Sequence, residues 1–178
     1  MAAVNGVATF TNLVINAAGT YTLFASDGTL NGATSNSFTI SSQTVTTVDD
    51  AVVGTGINQF NYAGAWTHVT GTNVPNSFDG TVSYTDTAND SVTITFVGTQ
   101  IKLYVAERNN RGIGAVSIDG GPATNIDEYS ATDAGDVLVY TSPVLASGTH
   151  TLKLVNTGLR NANSTGTRVD VDRVDILS

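Results

Sequence analysis

Residues 91–98 read SVTITFVG, and their alternation decides the fold class. Val92, Ile94 and Phe96 fall on one face and Thr93 and Thr95 on the other, the period of two that marks a half-buried strand. The same spacing sets Ile101, Leu103 and Val105 inward over 100–107, and Leu152 and Leu154 inward over 149–156. Further strands are expected near 44–52, 65–70, 80–86, 113–118 and 136–141, with Gly and Asn punctuating between them. Short strands with turn signals every dozen or so residues, and no helical period, predict an all-β chain built as a β-sandwich rather than from βαβ units.

Composition agrees. The 178 residues include only two Glu, two Lys and one Met against long runs of Thr, Val, Ser and Gly, which favours sheet over helix. That length allows one full core with room for a fragment of another. With no cysteine, neither a disulfide framework nor a thiolate metal site can form. A net charge of -8 opposes the phosphate neutralisation that nucleic acid and anionic membranes require, so neither is an expected partner. No apolar run approaches the ~20 residues needed to span a bilayer. The opening MAAVNGVATF lacks the charged and apolar regions of a secretory signal, so an export signal is expected to lie outside this sequence.

A composition shift around TISSQTVTTVDD, residues 39–50, divides the chain into 1–43 and 44–178. The first part offers strands near 6–15, 19–26 and 34–40, too few to close a sandwich. Its stretch AGTYTLFA, residues 18–25, resembles the tyrosine corner of immunoglobulin-like domains, with Tyr21 in the tyrosine's place. That resemblance implies the C-terminal part of a bacterial immunoglobulin-like module, with an open strand edge that could pair two copies into a homodimer. The alternative is an N-terminal extension packed on the main sandwich.

Residues 44–178 carry RGIGAVSIDGGPATNIDEYS (111–130), LVYTSPVLASGTHTLKLVNTG (138–158) and VDVDRVDIL (169–177). These resemble the galactose-binding-like jelly rolls that include many carbohydrate-binding modules, and are similar to families 6 and 35. The resemblance implies a structural Ca2+ held by an acidic residue of the first strand and an aspartate of the last. Asp49 and Asp50 stand at the first position, where the family has Glu; Asp172, with Asp175 nearby, stands at the second. Solvated carboxylates are the alternative reading of the same residues.

The resemblance also implies a glycan site on loops at one end of the sandwich. Sugars are held by aromatic faces and by planar hydrogen-bonding groups. Arg160, Asn161, Asn163 and Asp170 supply such groups before the last strand, and ERNNRG supplies Arg108, Asn109 and Arg111. Tyr62, Trp66 and Tyr129 are the candidate stacking aromatics, although a single Trp in a β-sandwich is more often core. If the two loops form one polar rim, neutral polysaccharide would bind weakly and with little dependence on salt. In the last strand Val169 and Val171 alternate out of phase with Val174 and Ile176, which reads as a β-bulge at Asp172 or Arg173.

His150 shares its face with Leu152 and Leu154, and reads as a core histidine with satisfied ring nitrogens. No nucleophile elbow, zinc helix or phosphate loop occurs, and no spacing supports Glu107 and Glu128 as a glycosidase pair. The sequence thus leads to a non-catalytic module that tethers a larger extracellular or cell-surface protein, with its linked catalytic or surface domains, to polysaccharide or oligosaccharide. The alternative is a structural or adhesive β-module without sugar binding.

Overall fold

The computed structural model describes residues 5–29 and 31–178. The chain divides into two compact units, Met1–Gln43 and Thr44–Ser178. In the first, β1 (Gly19–Tyr21) pairs antiparallel with β4 (Phe38–Ile40), and β2 (Phe24–Ala25) with β3 (Ala33–Thr34). The Tyr21 hydroxyl donates to the carbonyl of Ala17 at 2.9 Å, and its ring lies 6.3 Å from that of Phe38. The strand expected over 6–15 does not form; Phe10, Leu13 and Val14 are exposed and carry no ladder. The strands expected over 19–26 and 34–40 are each broken into two short pieces.

The second unit is a β-sandwich jelly roll. Its strands are β5 (Val45–Asp49), β6 (Phe60–Ala63), β7 (Thr67–Thr70), β8 (Thr81–Thr85), β9 (Ser91–Gly98), β10 (Gln100–Glu107), β11 (Ile113–Ile118), β12 (Thr124–Asp127), β13 (Ala134–Thr141), β14 (Gly148–Leu159), β15 (Val169–Val171) and β16 (Arg173–Leu177). They form a five-stranded sheet β12-β11-β14-β9-β6, a four-stranded sheet β13-β10-β16-β5 and a three-stranded sheet β15-β8-β7, all antiparallel. No α-helix occurs among the described residues; one 3-10 turn spans Phe78–Gly80.

The alternation of 91–98 becomes β9 at the heart of the larger sheet. Val92, Ile94 and Phe96 are buried, with Leu154, Leu152 and His150 as their partners on β14. Ile101, Leu103 and Val105 of β10 are fully buried in the four-stranded sheet, where Ile176 and Val174 face the first two. Both sets belong to one apolar cluster, so the two sheets share a core. Each such side chain taken fully out of water contributes about 1.5–3 kcal/mol.

Between β9 and β10 the chain passes from one sheet to the other through the single residue Thr99, whose N–H donates to the Leu177 carbonyl at 2.7 Å. Gly98 makes that corner possible: a Cβ there would stand 2.6 Å from the same carbonyl oxygen. The last strand corrects the sequence reading. The phase change after Val171 is a change of sheet rather than a bulge, because β15 pairs with β8 whereas β16 pairs with β10 and β5. Asp172 is the single residue between them.

Candidate functional site

The three-stranded sheet has two different faces. Register pairs Val69 with Val82, Thr67 with Tyr84, and Tyr84 with Asp170, so these residues share one side. His68, Ser83 and Val171 share the other.

On the first side lies a cleft of about 450 Å³, walled by Val69, Val74, Val82 and Tyr84 and by Arg108, Arg111 and Arg168. The loops 107–112 and 159–168 meet beside it. Thr165 N donates to Asn109 O at 2.9 Å, Gly112 N to Arg168 O at 2.6 Å, and Ser164 Oγ to Arg111 O at 2.6 Å. The aromatic there is Tyr84, with the Arg168 guanidinium 3.7 Å from its ring centre. Arg168 is gripped from behind by Asp86, Nε to Oδ1 at 2.9 Å and Nη2 to Oδ2 at 2.7 Å, and Arg108 pairs with Asp133 at 2.8 Å.

Arg111 is 1% exposed. Its Nε donates to Asp170 Oδ2 at 2.6 Å and to Ala106 O at 3.1 Å; Nη2 also meets Asp170 Oδ2, and Nη1 donates to Asn110 Oδ1 at 3.0 Å. Asp170, expected on an exposed loop, lies in β15 with no exposure, and its Oδ1 accepts the Ala106 N–H at 2.7 Å. It anchors Arg111 from inside the fold and cannot meet a ligand directly. Behind it Glu128, also fully buried, accepts the Asp170 N–H on Oε2 at 2.8 Å, while Oε1 has no partner. Burial, reinforced by the charge of Asp170, pushes the Glu128 carboxyl well above its ordinary range.

Of the other expected residues, Asn161, Asn163 and Tyr129 gather around Asp127. Asn161 Nδ2 donates to Asp127 Oδ2 at 2.7 Å, Asn161 Oδ1 accepts the Asn163 N–H at 3.0 Å, and Tyr129 N donates to Asp127 Oδ1 at 3.0 Å. Arg160, Asn109 and Asn163 are exposed, and Tyr129 is half-buried. None of these lines the arginine cleft. Tyr62 and Trp66 lie on the opposite face, at a separate cleft that also includes His68. Their rings are 5.0 Å apart, Tyr62 is 6.0 Å from Phe60, and both pack against the core cluster. The Tyr62 hydroxyl donates to Asp50 O at 2.8 Å and Trp66 Nε1 to Ala63 O at 3.3 Å. Burial raises the Tyr62 hydroxyl far above its ordinary value.

The residues expected to hold calcium are adjacent but already engaged. Thr81 Oγ1 contacts both Asp49 oxygens and Asp50 Oδ1, the latter at 2.6 Å, and Ser83 Oγ donates to Asp50 Oδ2. Both Asp172 oxygens accept backbone N–H groups, from Phe78 at 3.0 Å and Asp136 at 2.8 Å. Asp175 bonds to Thr47 and Arg173. Among the described residues no group of three or more acidic or histidine side chains is placed to hold a metal ion. The hydroxyls around Asp49 and Asp50 can turn their lone pairs to a cation, whereas the N–H groups at Asp172 cannot. Burial raises Asp50 to about 6 and Asp172 to about 7.

His150 has both ring nitrogens bonded, to Asp119 Oδ2 at 2.7 Å and Ala146 O at 2.8 Å, though its side chain keeps 15% exposure rather than lying wholly in the core.

No family model matches the chain. It is 36% identical over 78 residues to an A type blood N-acetyl-alpha-D-galactosamine deacetylase of Flavonifractor plautii, a match covering 44% of this chain and 10% of that protein. It is 34% identical over 77 residues to an A type blood alpha-D-galactosamine galactosaminidase of the same organism, covering 43% and 7%. The fold is similar to part of a Paenibacillus xanthan lyase, with TM-score 0.54, 17% identity, and coverage of 74% of this chain and 13% of that one. The matched stretches are a small part of these much longer proteins.

Proposed function

We propose that residues 44–178 are a non-catalytic carbohydrate-binding module, similar to families 6 and 35, that tethers a larger extracellular or cell-surface protein to polysaccharide. The observation that carries this reading is the cleft beside the joined loops, where an apolar wall and Tyr84 stand next to planar hydrogen-bond donors. Two relatives named for action on glycans, each matched over a small fraction of its length, support an accessory role beside a separate catalytic domain. Tethering raises the effective concentration of that domain near its substrate. A glycan-array screen followed by titration calorimetry tests the reading; failure to bind any glycan would overturn it.

The first unit fits part of an immunoglobulin-like module, and the Tyr21 bond to Ala17 supports that assignment. Its short ladders leave edges open to a second copy, a proposal that sedimentation at high concentration tests. Calcium enters the proposal only through Asp49 and Asp50, whose neighbours Thr81 and Ser83 can add hydroxyl oxygens. The rival reading, a structural or adhesive β-module, is favoured by one observation: Tyr62 and Trp66 pack inward instead of standing free.

A further inference from the structure

The arginine cleft is out of keeping with the rest of the molecule. The chain has seven Lys and Arg against fifteen Asp and Glu, yet three of the seven line this one cleft and no acidic side chain among the described residues lines it. Their counter-ions Asp86, Asp133 and Asp170 contact the guanidinium groups without lining the cleft. Each partner therefore holds its arginine in place while leaving donors over. Arg168 uses Nε and Nη2 on Asp86, so Nη1 has no protein partner among the described residues. Arg108 uses Nη2 on Asp133, and its Nε and Nη1 are likewise unpartnered. Arg111, buried, is clamped by Asp170, Ala106 and Asn110. Ordering these long side chains in advance removes much of the entropy that a ligand would otherwise lose in fixing them.

We propose that this cleft takes a saccharide bearing a carboxylate, a uronic acid residue, with the carboxylate between Arg108 and Arg168 and the sugar ring against Val69 and Tyr84. The inference rests on the carbohydrate-binding reading and narrows it. The donors left free on Arg108 and Arg168 can each meet an oxygen of one carboxylate, and such charge-assisted bonds are about twice as strong as neutral ones. The apolar wall accounts for the remainder of the ligand, since a bare inorganic anion would have no use for it. Binding then depends on salt, in place of the salt-insensitive binding expected from the loop composition alone.

The test is titration calorimetry of the full chain with oligogalacturonate, its neutral methyl ester and a sulfated galactan, at low and high salt. The acid is expected to bind about tenfold tighter than the ester, to weaken as salt rises, and to lose about tenfold or more in each of Arg108→Gln and Arg168→Gln. Both side chains are partly exposed, so thermal melts of these variants should match the parent. Equal binding of acid and ester, with the arginine variants unaffected, would overturn the inference and leave sugar binding standing. Preference for the sulfated galactan would overturn the carboxylate assignment. Binding of neither these nor any neutral glycan would remove the carbohydrate reading itself.

Discussion

Arg111 and Asp170 form a buried ion pair, Nε to Oδ2 at 2.6 Å, that ties the loop after β10 to the strand β15 beneath the cleft. Removing one partner leaves the other charged and without water. Asp170→Ala is therefore expected to cost about 3–5 kcal/mol of stability, read by urea unfolding. A loss under about 1 kcal/mol would show that the pair is not buried as described.

Carboxyls raised by burial, Asp50, Asp172 and Glu128 among them, give stability a definite dependence on pH. Asp50 moves to about 6, Asp172 to about 7, and Glu128 well above its ordinary range. A group whose folded value lies above its unfolded one stabilises the fold fully below the unfolded value, and that contribution fades as pH rises through the folded value. The melting temperature should therefore fall between about pH 4 and pH 7 on account of these groups. Asp50→Asn should flatten the lower part of that slope and melt no lower than the parent at pH 7, since Thr81 and Ser83 can turn to the amide. A slope unchanged in the variant would contradict this assignment.

Trp66 belongs to the core side of the three-stranded sheet. Trp66→Ala should cost about 2 kcal/mol, below the figure for a fully buried aromatic because the side chain is half-buried. Saccharide affinity, measured where the variant remains folded, should be unchanged. Loss of binding at full stability would place the ligand on the Tyr62 and Trp66 face instead.

The calcium proposal predicts a higher melting temperature in millimolar calcium than in chelator, with the rise abolished in Asp50→Asn and retained in Asp175→Asn. Coincident curves for the parent would remove calcium from the account.

Most strands of the second unit were legible in the sequence, β5, β7, β8, β11 and β13 among them, and most plainly β9, β10 and β14, whose alternation spans a whole element because a buried face imposes its period directly. Two strands were not read. FNYA of β6 and TNID of β12 carry asparagine and too few apolar positions to show a period. The last strand showed its change of phase, but a bulge and a change of sheet leave the same trace along one chain. In the site, ERNNRG was read as an exposed polar loop, whereas Arg111 is buried by Asp170, a partner 59 residues away that no local pattern reveals. Tyr84 was missed although it alternates with Val82 on β8. The signal was the pairing of two bulky residues on one face opposite Ser83, and only the fold shows that this face is open to a ligand.

The measurement that bears most directly on the central claim is amide chemical-shift mapping of the chain during titration with oligogalacturonate. The account predicts shifts concentrated at Val69, Tyr84, Arg108 and Arg168, with the fluorescence of Trp66 unchanged. Shifts centred on Tyr62 and Trp66, or saturation at no site, would contradict it.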